Sequence, residues 1–241
     1  MKWTGDTTFE IEGTKFRIDA SDGGKGAKTN EHEYVIAKHP SFLDRYIGLK
    51  YSGYQKILEL GAFEGGSFVF LDKLLKPKKI SVVDLMEIPR PVFEAYVAAN
   101  APRTSFHCPV SQDDPEALER IVQDDFGGEV DLIIDDASHY YDQTRTSFLT
   151  LYPKVRPGGL YIIEDWGWSF HEPFQGPNGF WKERKSLVNL VIELLEEISL
   201  NSSIVDMTVT ADMVMLKKPL TPAHSPLLTR HGRRDRQWPD L

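Results

Sequence analysis

Ile57-Leu58-Glu59-Leu60-Gly61-Ala62-Phe63-Glu64-Gly65-Gly66-Ser67 decides the reading of this chain. Lys56 to Leu60 is short, apolar and β-prone, as suits a strand buried on both faces of a parallel sheet. Gly61 lets the backbone turn where a side chain would clash, and Gly65 or Gly66 lets a ligand lie close to the main chain. From Ser67 to Leu75, the spacing of Phe68, Val69, Leu71, Leu74 and Leu75 predicts an amphipathic helix, its first amides facing the ligand. A strand, a glycine turn and a helix in this order can hold a nucleotide-like cofactor.

A pyrophosphate clamp prefers Gly-x-Gly-x-x-Gly, whereas glycines at 61, 65 and 66 give Gly-x-x-x-Gly-Gly, which speaks against a nicotinamide-dependent oxidoreductase. The second strand, Lys79 to Leu85, carries Asp84 near its end, where such folds put a carboxylate on ribose hydroxyls. With these residues the chain resembles the class I methyltransferases that use S-adenosylmethionine, whose first motif reads acidic-x-Gly-x-x-x-Gly. The resemblance places Glu59 and Asp84 beside the amino acid and ribose parts of that cofactor. Gly61, Ala62, Phe63 and Ser67 of the turn complete this half of the expected cofactor site, with Ser111, Gln112 and Asp135 from later strand ends.

Beyond this turn, 241 residues with 41% hydrophobic content can bury one substantial core. A net charge of -8 and a pI near 5.4 argue against a general nucleic-acid or acidic-membrane binder and favour small-molecule chemistry. The one cysteine, Cys108, excludes an internal disulfide framework, and no apolar stretch near the start reads as a signal peptide or membrane span, so a cytoplasmic enzyme is expected. Cys108 falls in a predicted strand and reads as a small core residue.

Residues 1–40 read as an N-terminal extension: a small hairpin from Thr8 to Ile18, then a glycine-rich, charged link at 21–30. From 41 to 219 strands and helices alternate, with strands at 56–60, 79–85, 104–110, 130–136 and 159–165 and helices at 39–49, 65–75, 91–99, 115–124 and 141–152. Such alternation predicts a doubly wound parallel sheet. A long helix from about Lys182 to Leu200 precedes strand-like runs at 204–210 and 213–218, too close together for a crossover and therefore an antiparallel hairpin. The expected fold is α/β, a Rossmann-like seven-stranded sheet, mostly parallel and closed by that hairpin, as in class I methyltransferases. The tail, 220–241, has no periodicity and is expected to be mobile, its Arg230, Arg233, Arg234 and Arg236 either solvated or touching a partner.

The fourth and fifth strands end in Asp135-Asp136-Ala137-Ser138-His139 and Glu164-Asp165-Trp166, at the carboxyl edge where such sheets bind ligands. Ends of neighbouring strands lie about 5 Å apart. Asp136, Glu164 and Asp165 then converge, and carboxylates so close resist ionisation unless a cation sits among them. A hard divalent ion such as Mg²⁺ fits an all-oxygen set. The same acids also read as a helix cap and an ordinary ion pair. His139, three residues after Asp136, can reach the same opening, and an imidazole of ordinary pKa, about 6.5, accepts a proton near neutral pH.

An aspartate ending strand four, an acidic pair ending strand five and a base three residues after the first aspartate resemble the metal-dependent O-methyltransferases. The Asp-Asp-x-Ser-His and Glu-Asp forms are most similar to the macrolide-sugar O-methyltransferases of antibiotic pathways and to the related cephalosporin-biosynthesis group. By that resemblance Asp136, Glu164 and Asp165 are metal ligands and His139 is the general base. The implied reaction moves a methyl group from S-adenosylmethionine to a hydroxyl of a small molecule, with Mg²⁺ lowering the pKa of that hydroxyl. A metal-independent methyltransferase of the same fold and a non-catalytic S-adenosylmethionine-binding protein are the alternatives.

Ser111 and Gln112 stand where this fold contacts adenine, although Asp113 or Asp114 capping a helix before Pro115 explains the stretch equally well. Tyr140, Trp166 and Trp168 are candidates to contact the acceptor, in company with Phe170, His171, Phe174 and Trp181. Neither a nucleic-acid nor a membrane partner is expected, and self-association stays open.

Overall fold

The computed structural model describes residues 1–20, 28–171, 184–200 and 203–221. Two compact units divide the chain, Met1–Ser111 and Gln112–Leu241. The expected mobile tail lies outside the described residues apart from its first two. No helix among the described residues is long and apolar enough to cross a membrane.

In the first unit, strands β1 (Lys2–Trp3), β2 (Thr8–Ile11), β3 (Thr14–Ile18) and β4 (Tyr34–Ile36) form a four-stranded sheet. Glu12 and Gly13 both take positive φ, 50° and 79°, in the two-residue turn that joins β2 to β3, which the right-handed twist of a hairpin favours. Phe9 and Phe16 face each other across the pair, with ring centroids 5.1 Å apart. The predicted hairpin is therefore present, but it gains β4, parallel to β3, from beyond the glycine-rich link. A three-residue strand is too short to declare itself by alternation.

After helix α1 (Pro40–Gly48), β5 (Lys56–Leu60), α2 (Gly66–Leu75), β6 (Lys79–Val83), α3 (Pro91–Ala99) and β7 (Thr104–His107) follow in turn, with β5, β6 and β7 parallel. Phe70 of α2 packs edge-on against Phe9 and Phe16 at 5.7 and 6.1 Å, so α2 has an aromatic face toward the small sheet. Cys108 lies just past the end of β7 rather than inside it, half-buried, with its thiol 3.4 Å from the Met86 carbonyl oxygen. Pro109 lacks the N–H that would continue a ladder, which accounts for the strand stopping short of the expected residue 110.

In the second unit, α4 (Pro115–Phe126) starts at Asp114, whose carboxylate accepts from the Ala117 N–H at 3.0 Å, and stops at Gly127 with φ 70°. Strand β8 (Val130–Asp135) is buried throughout; α5 (Tyr141–Leu151) and the parallel β9 (Val155–Glu164) follow. β9 starts four residues before its apolar run, across Pro157, Gly158 and Gly159, where its register with β8 shifts as in a bulge. Helix α6 (Val188–Leu200) leads to β10 (Asp206–Val209) and β11 (Met213–Lys217), antiparallel to each other, with β11 antiparallel to β9. Residues 184–187 are not helical, so the helix is shorter than the periodicity indicates. The large sheet has the order β10-β11-β9-β8-β5-β6-β7, the seven-stranded, mostly parallel arrangement expected, with its C-terminal antiparallel hairpin.

Candidate active site

In the first unit the glycine turn is held by Asp84. Gly61, at φ 95°, donates its N–H to the Val83 carbonyl at 2.8 Å. The N–H groups of Ala62 and Phe63 donate to Asp84 Oδ2 at 3.0 and 3.2 Å, and that of Met86 donates to Oδ1 at 2.7 Å. Arg90, a residue the sequence did not single out, completes the arrangement. Its Nη2 donates to Asp84 Oδ2 at 2.9 Å, its Nη1 to the carbonyls of Met86 and Ile88 at 3.0 and 3.2 Å, and its Nε to the Phe63 carbonyl. With only 4% exposure, this guanidinium stitches the 61–65 turn to the 84–90 loop. The available signal was an arginine six residues after a strand-ending aspartate and just before Pro91, too common a pattern to stand out.

Gly65 and Gly66 have a second use. A Cβ at Gly65 would lie 2.3 Å from the Phe93 ring, and one at Gly66 only 1.8 Å from the Val35 carbonyl oxygen. These glycines admit the protein's own neighbours, a demand the bare motif does not reveal. Glu59 is fully buried at the end of β5, Ser67 half-buried in the first turn of α2. Phe63, left-handed at φ 44°, is 40% exposed, and Leu85, Met86 and Ile88 after Asp84 also stand in water. Exposed apolar side chains on a loop tied to a carboxylate, next to an α2 N-terminus that no side chain caps, fit a nucleoside-bearing cofactor.

The acidic constellation belongs to the second unit. Asp135 is in register with Ile163, so the residues following β8 and β9 come level. Ligand atoms of Asp136, His139 and Asp165 lie within 4.8 Å of one another. His139 Nε2 is 3.9 Å from both Asp136 Oδ1 and Asp165 Oδ2. Two carboxylates and an imidazole so disposed are a donor set that fits a divalent cation. Glu164, the third expected ligand, is not in this group: it is buried at 1% exposure at the end of β9. Asp165, just past the end of β9 and left-handed at φ 55°, is the one that joins the group.

His139 is also left-handed, at φ 58°. Such backbone costs about 1–3 kcal/mol for a non-glycine residue and persists where surrounding structure enforces it. Trp168 packs on the His139 ring, centroids 4.6 Å apart, so one expected acceptor contact touches the expected base. Trp166 donates its indole N–H to the Thr210 carbonyl at 2.8 Å, and the Asp165 N–H donates to the Asp212 carbonyl at 2.9 Å. The β10–β11 turn therefore anchors the end of β9. Tyr140 lies under the Arg184 guanidinium at 3.9 Å and lines a cavity of about 160 Å³ with Tyr141, Asp142, Gln143, Arg184 and Lys185. Phe174 and Trp181 lie outside the described residues.

Two residues expected beside the cofactor, Gln112 and Asp135, bond to each other. Asp135, 2% exposed, accepts from Gln112 Nε2 at 3.0 Å and Tyr161 Oη at 3.1 Å, and also from Ser147 Oγ. Burial pushes its carboxyl up to about 7, against the lowering effect of the Ser147 and Tyr161 hydroxyls. Gln112 Oε1 accepts the Ser138 N–H at 2.7 Å. Ser111 is half-buried just before this pair.

This topology, with a glycine turn after β5 and an acidic group after β8 and β9, is similar to that of class I methyltransferase domains. Residues 58–166 match the family model described as a methyltransferase domain. Among curated relatives, L-olivosyl-oleandolide 3-O-methyltransferase of Streptomyces antibioticus is 42% identical over 77 residues, 32% of this chain and 19% of that protein. Mycinamicin VI 2''-O-methyltransferase of Micromonospora griseorubida is 48% identical over 65 residues, 27% of this chain and 16% of that protein. The chain thus matches about a fifth of the length of these relatives. Of solved structures, the MycE methyltransferase of the mycinamycin pathway, in complex with Mg and SAH, superposes with a TM-score of 0.58 at 26% identity. That match covers 83% of this chain and 55% of the other.

Proposed function

We propose that this chain is an O-methyltransferase that moves a methyl group from S-adenosylmethionine to a hydroxyl of a sugar-bearing natural product, with Mg²⁺ as its metal. The observation that carries the reading is the grouping of Asp136, Asp165 and His139 at the ends of β8 and β9. Support comes from relatives named as O-methyltransferases and from a similar structure named as binding Mg and SAH.

In this reading S-adenosylmethionine supplies the methyl group, and a divalent ion, when bound, lowers the pKa of the acceptor hydroxyl. Asp136 and Asp165 hold the cation, while Glu164, expected as a third ligand, lies outside their group. His139 Nε2 accepts the hydroxyl proton, its ring held by Trp168. Glu59, Asp84 and the 61–67 turn hold the cofactor, together with Ser111, while Tyr140, Trp166 and Trp168 wall the acceptor. A cytoplasmic setting agrees with a chain of one cysteine.

The test is methyl transfer from S-adenosylmethionine to a panel of glycosylated polyketides, followed by mass spectrometry with EDTA and after Mg²⁺ is restored. Turnover that EDTA abolishes and Mg²⁺ restores is the expected result. Turnover indifferent to EDTA would favour the metal-independent alternative, and cofactor binding with no methylated product a non-catalytic protein. Sedimentation velocity addresses self-association.

A further inference from the structure

We infer that Gln112 is a positioning residue for His139, acting through the backbone of the 136–139 loop rather than by touching the cofactor; the inference rests on His139 being the base. The Gln112 side chain is 6% exposed, and both ends of its amide are engaged. Its Oε1 accepts the Ser138 N–H at 2.7 Å and its Nε2 donates to Asp135 Oδ1 at 3.0 Å. A backbone N–H can only donate, so the amide has one orientation, with its nitrogen toward Asp135.

The brace spans the two ends of the loop that carries the metal and base candidates. Asp135 is itself fixed at the end of β8 by Tyr161 and Ser147. Ser138 passes the constraint forward, its Oγ accepting the Tyr140 N–H at 3.2 Å. Between Ser138 and Tyr140 sits His139, in left-handed backbone that an unrestrained histidine would leave. Ser138 is thus tied through Gln112 to the end of β8, and Tyr140 to Ser138, one on each side of His139. Misplacing a catalytic group by about 1 Å can cost on the order of 100-fold in rate.

Gln112→Met keeps the length of the side chain and removes both hydrogen bonds. The expected result is a fall in kcat of about 10–100-fold, with the KM for S-adenosylmethionine and the calorimetric Kd of S-adenosylhomocysteine within about twofold of wild type. Combined with His139→Ala, it should slow the residual rate no further, because both changes act on one group. Gln112→Glu, which still accepts the Ser138 N–H but loses the donor to Asp135, should likewise lower kcat and spare S-adenosylhomocysteine affinity, and it carries the comparison if the methionine variant does not fold. The inference is overturned by a parallel loss of S-adenosylhomocysteine affinity, by losses that multiply in the double variant, or by wild-type kcat in Gln112→Met. If His139→Ala alone turns over at the wild-type rate, the assignment of the base fails first, a separate outcome.

Discussion

His139 Nε2 faces Asp165 Oδ2 at 3.9 Å, each residue in left-handed backbone on the loop after its own strand. That separation is too long for a hydrogen bond and suits two groups that share something between them. His139→Ala should therefore lower methyl transfer by about 10²–10⁴-fold, the usual worth of a general base. Calorimetry with S-adenosylhomocysteine should show its affinity unchanged. Turnover at the wild-type rate removes His139 from the mechanism.

Asp165→Asn keeps the shape of the side chain and discards its charge. Losing a neighbour of a metal ligand typically costs 10–100-fold in affinity, so losing a ligand should weaken Mg²⁺ by at least about tenfold. The Mg²⁺ dependence of the rate, or Mn²⁺ binding followed by electron paramagnetic resonance, measures this directly. An unchanged half-saturation would place the cation elsewhere.

Gly66→Ala puts a methyl group 1.8 Å from the Val35 carbonyl oxygen, and backbone cannot yield as a side-chain tip would. Overpacking of this kind costs about 3 kcal/mol at its upper end, or roughly 6–12 °C in Tm for a chain of this size. Gly48→Ala, with nothing near its Cβ position, is the matched control in differential scanning fluorimetry.

Arg90→Lys retains a positive charge but cannot reach Asp84, Phe63, Met86 and Ile88 from one planar group. The 61–65 turn should loosen, and S-adenosylhomocysteine affinity fall about tenfold, the equivalent of one charge-assisted hydrogen bond. Mg²⁺ affinity, which depends on the other unit, should not move. A drop in both at once would mean general unfolding.

Glu193 on α6 supplies the pH dependence. Burial raises its pKa, but hydrogen bonds from Tyr141 and Arg145, with the charges of Arg145 and Lys185, outweigh it and leave the carboxyl below its ordinary value. A depressed folded pKa adds stability above the unfolded value of about 4.3 that is lost as pH falls through the folded one. Wild type should thus exceed Glu193→Gln in Tm at pH 7, and the gap should close in acid. A constant gap from pH 7 to 3 would show that the charge contributes nothing.

Much of this molecule can be read from residue pattern, and the exceptions have physical reasons. Lys56–Leu60 and Val130–Asp135 are uniformly apolar because both faces of their strands are covered, and that signal is local. Asp136, His139 and Asp165 could be grouped because neighbouring parallel strands bring their ends level. Glu164 fell outside the group because β9 ends there and the chain turns into left-handed backbone at Asp165, a change of direction that no residue pattern announces. Arg90 and the bracing contacts of Gln112 were opaque for another reason. Besides Asp84 and Asp135, their partners are backbone atoms, the Phe63 carbonyl and the Ser138 N–H among them, and backbone carries no letter in a sequence. The glycines at 65 and 66 were legible as a turn, yet Val35 and Phe93, which need that space, come from distant stretches.

The anchorage of Asp165 and Trp166 on Asp212 and Thr210 bears on what keeps the candidate metal ligand in place. The chain leaves the end of β9 already fastened to a hairpin more than forty residues downstream. The bond that holds Asp165 runs from main chain to main chain, so it does not depend on which side chain stands at position 212. The candidate ligand thus inherits its place from strand pairing, and a substitution at Asp212 should leave it where it is.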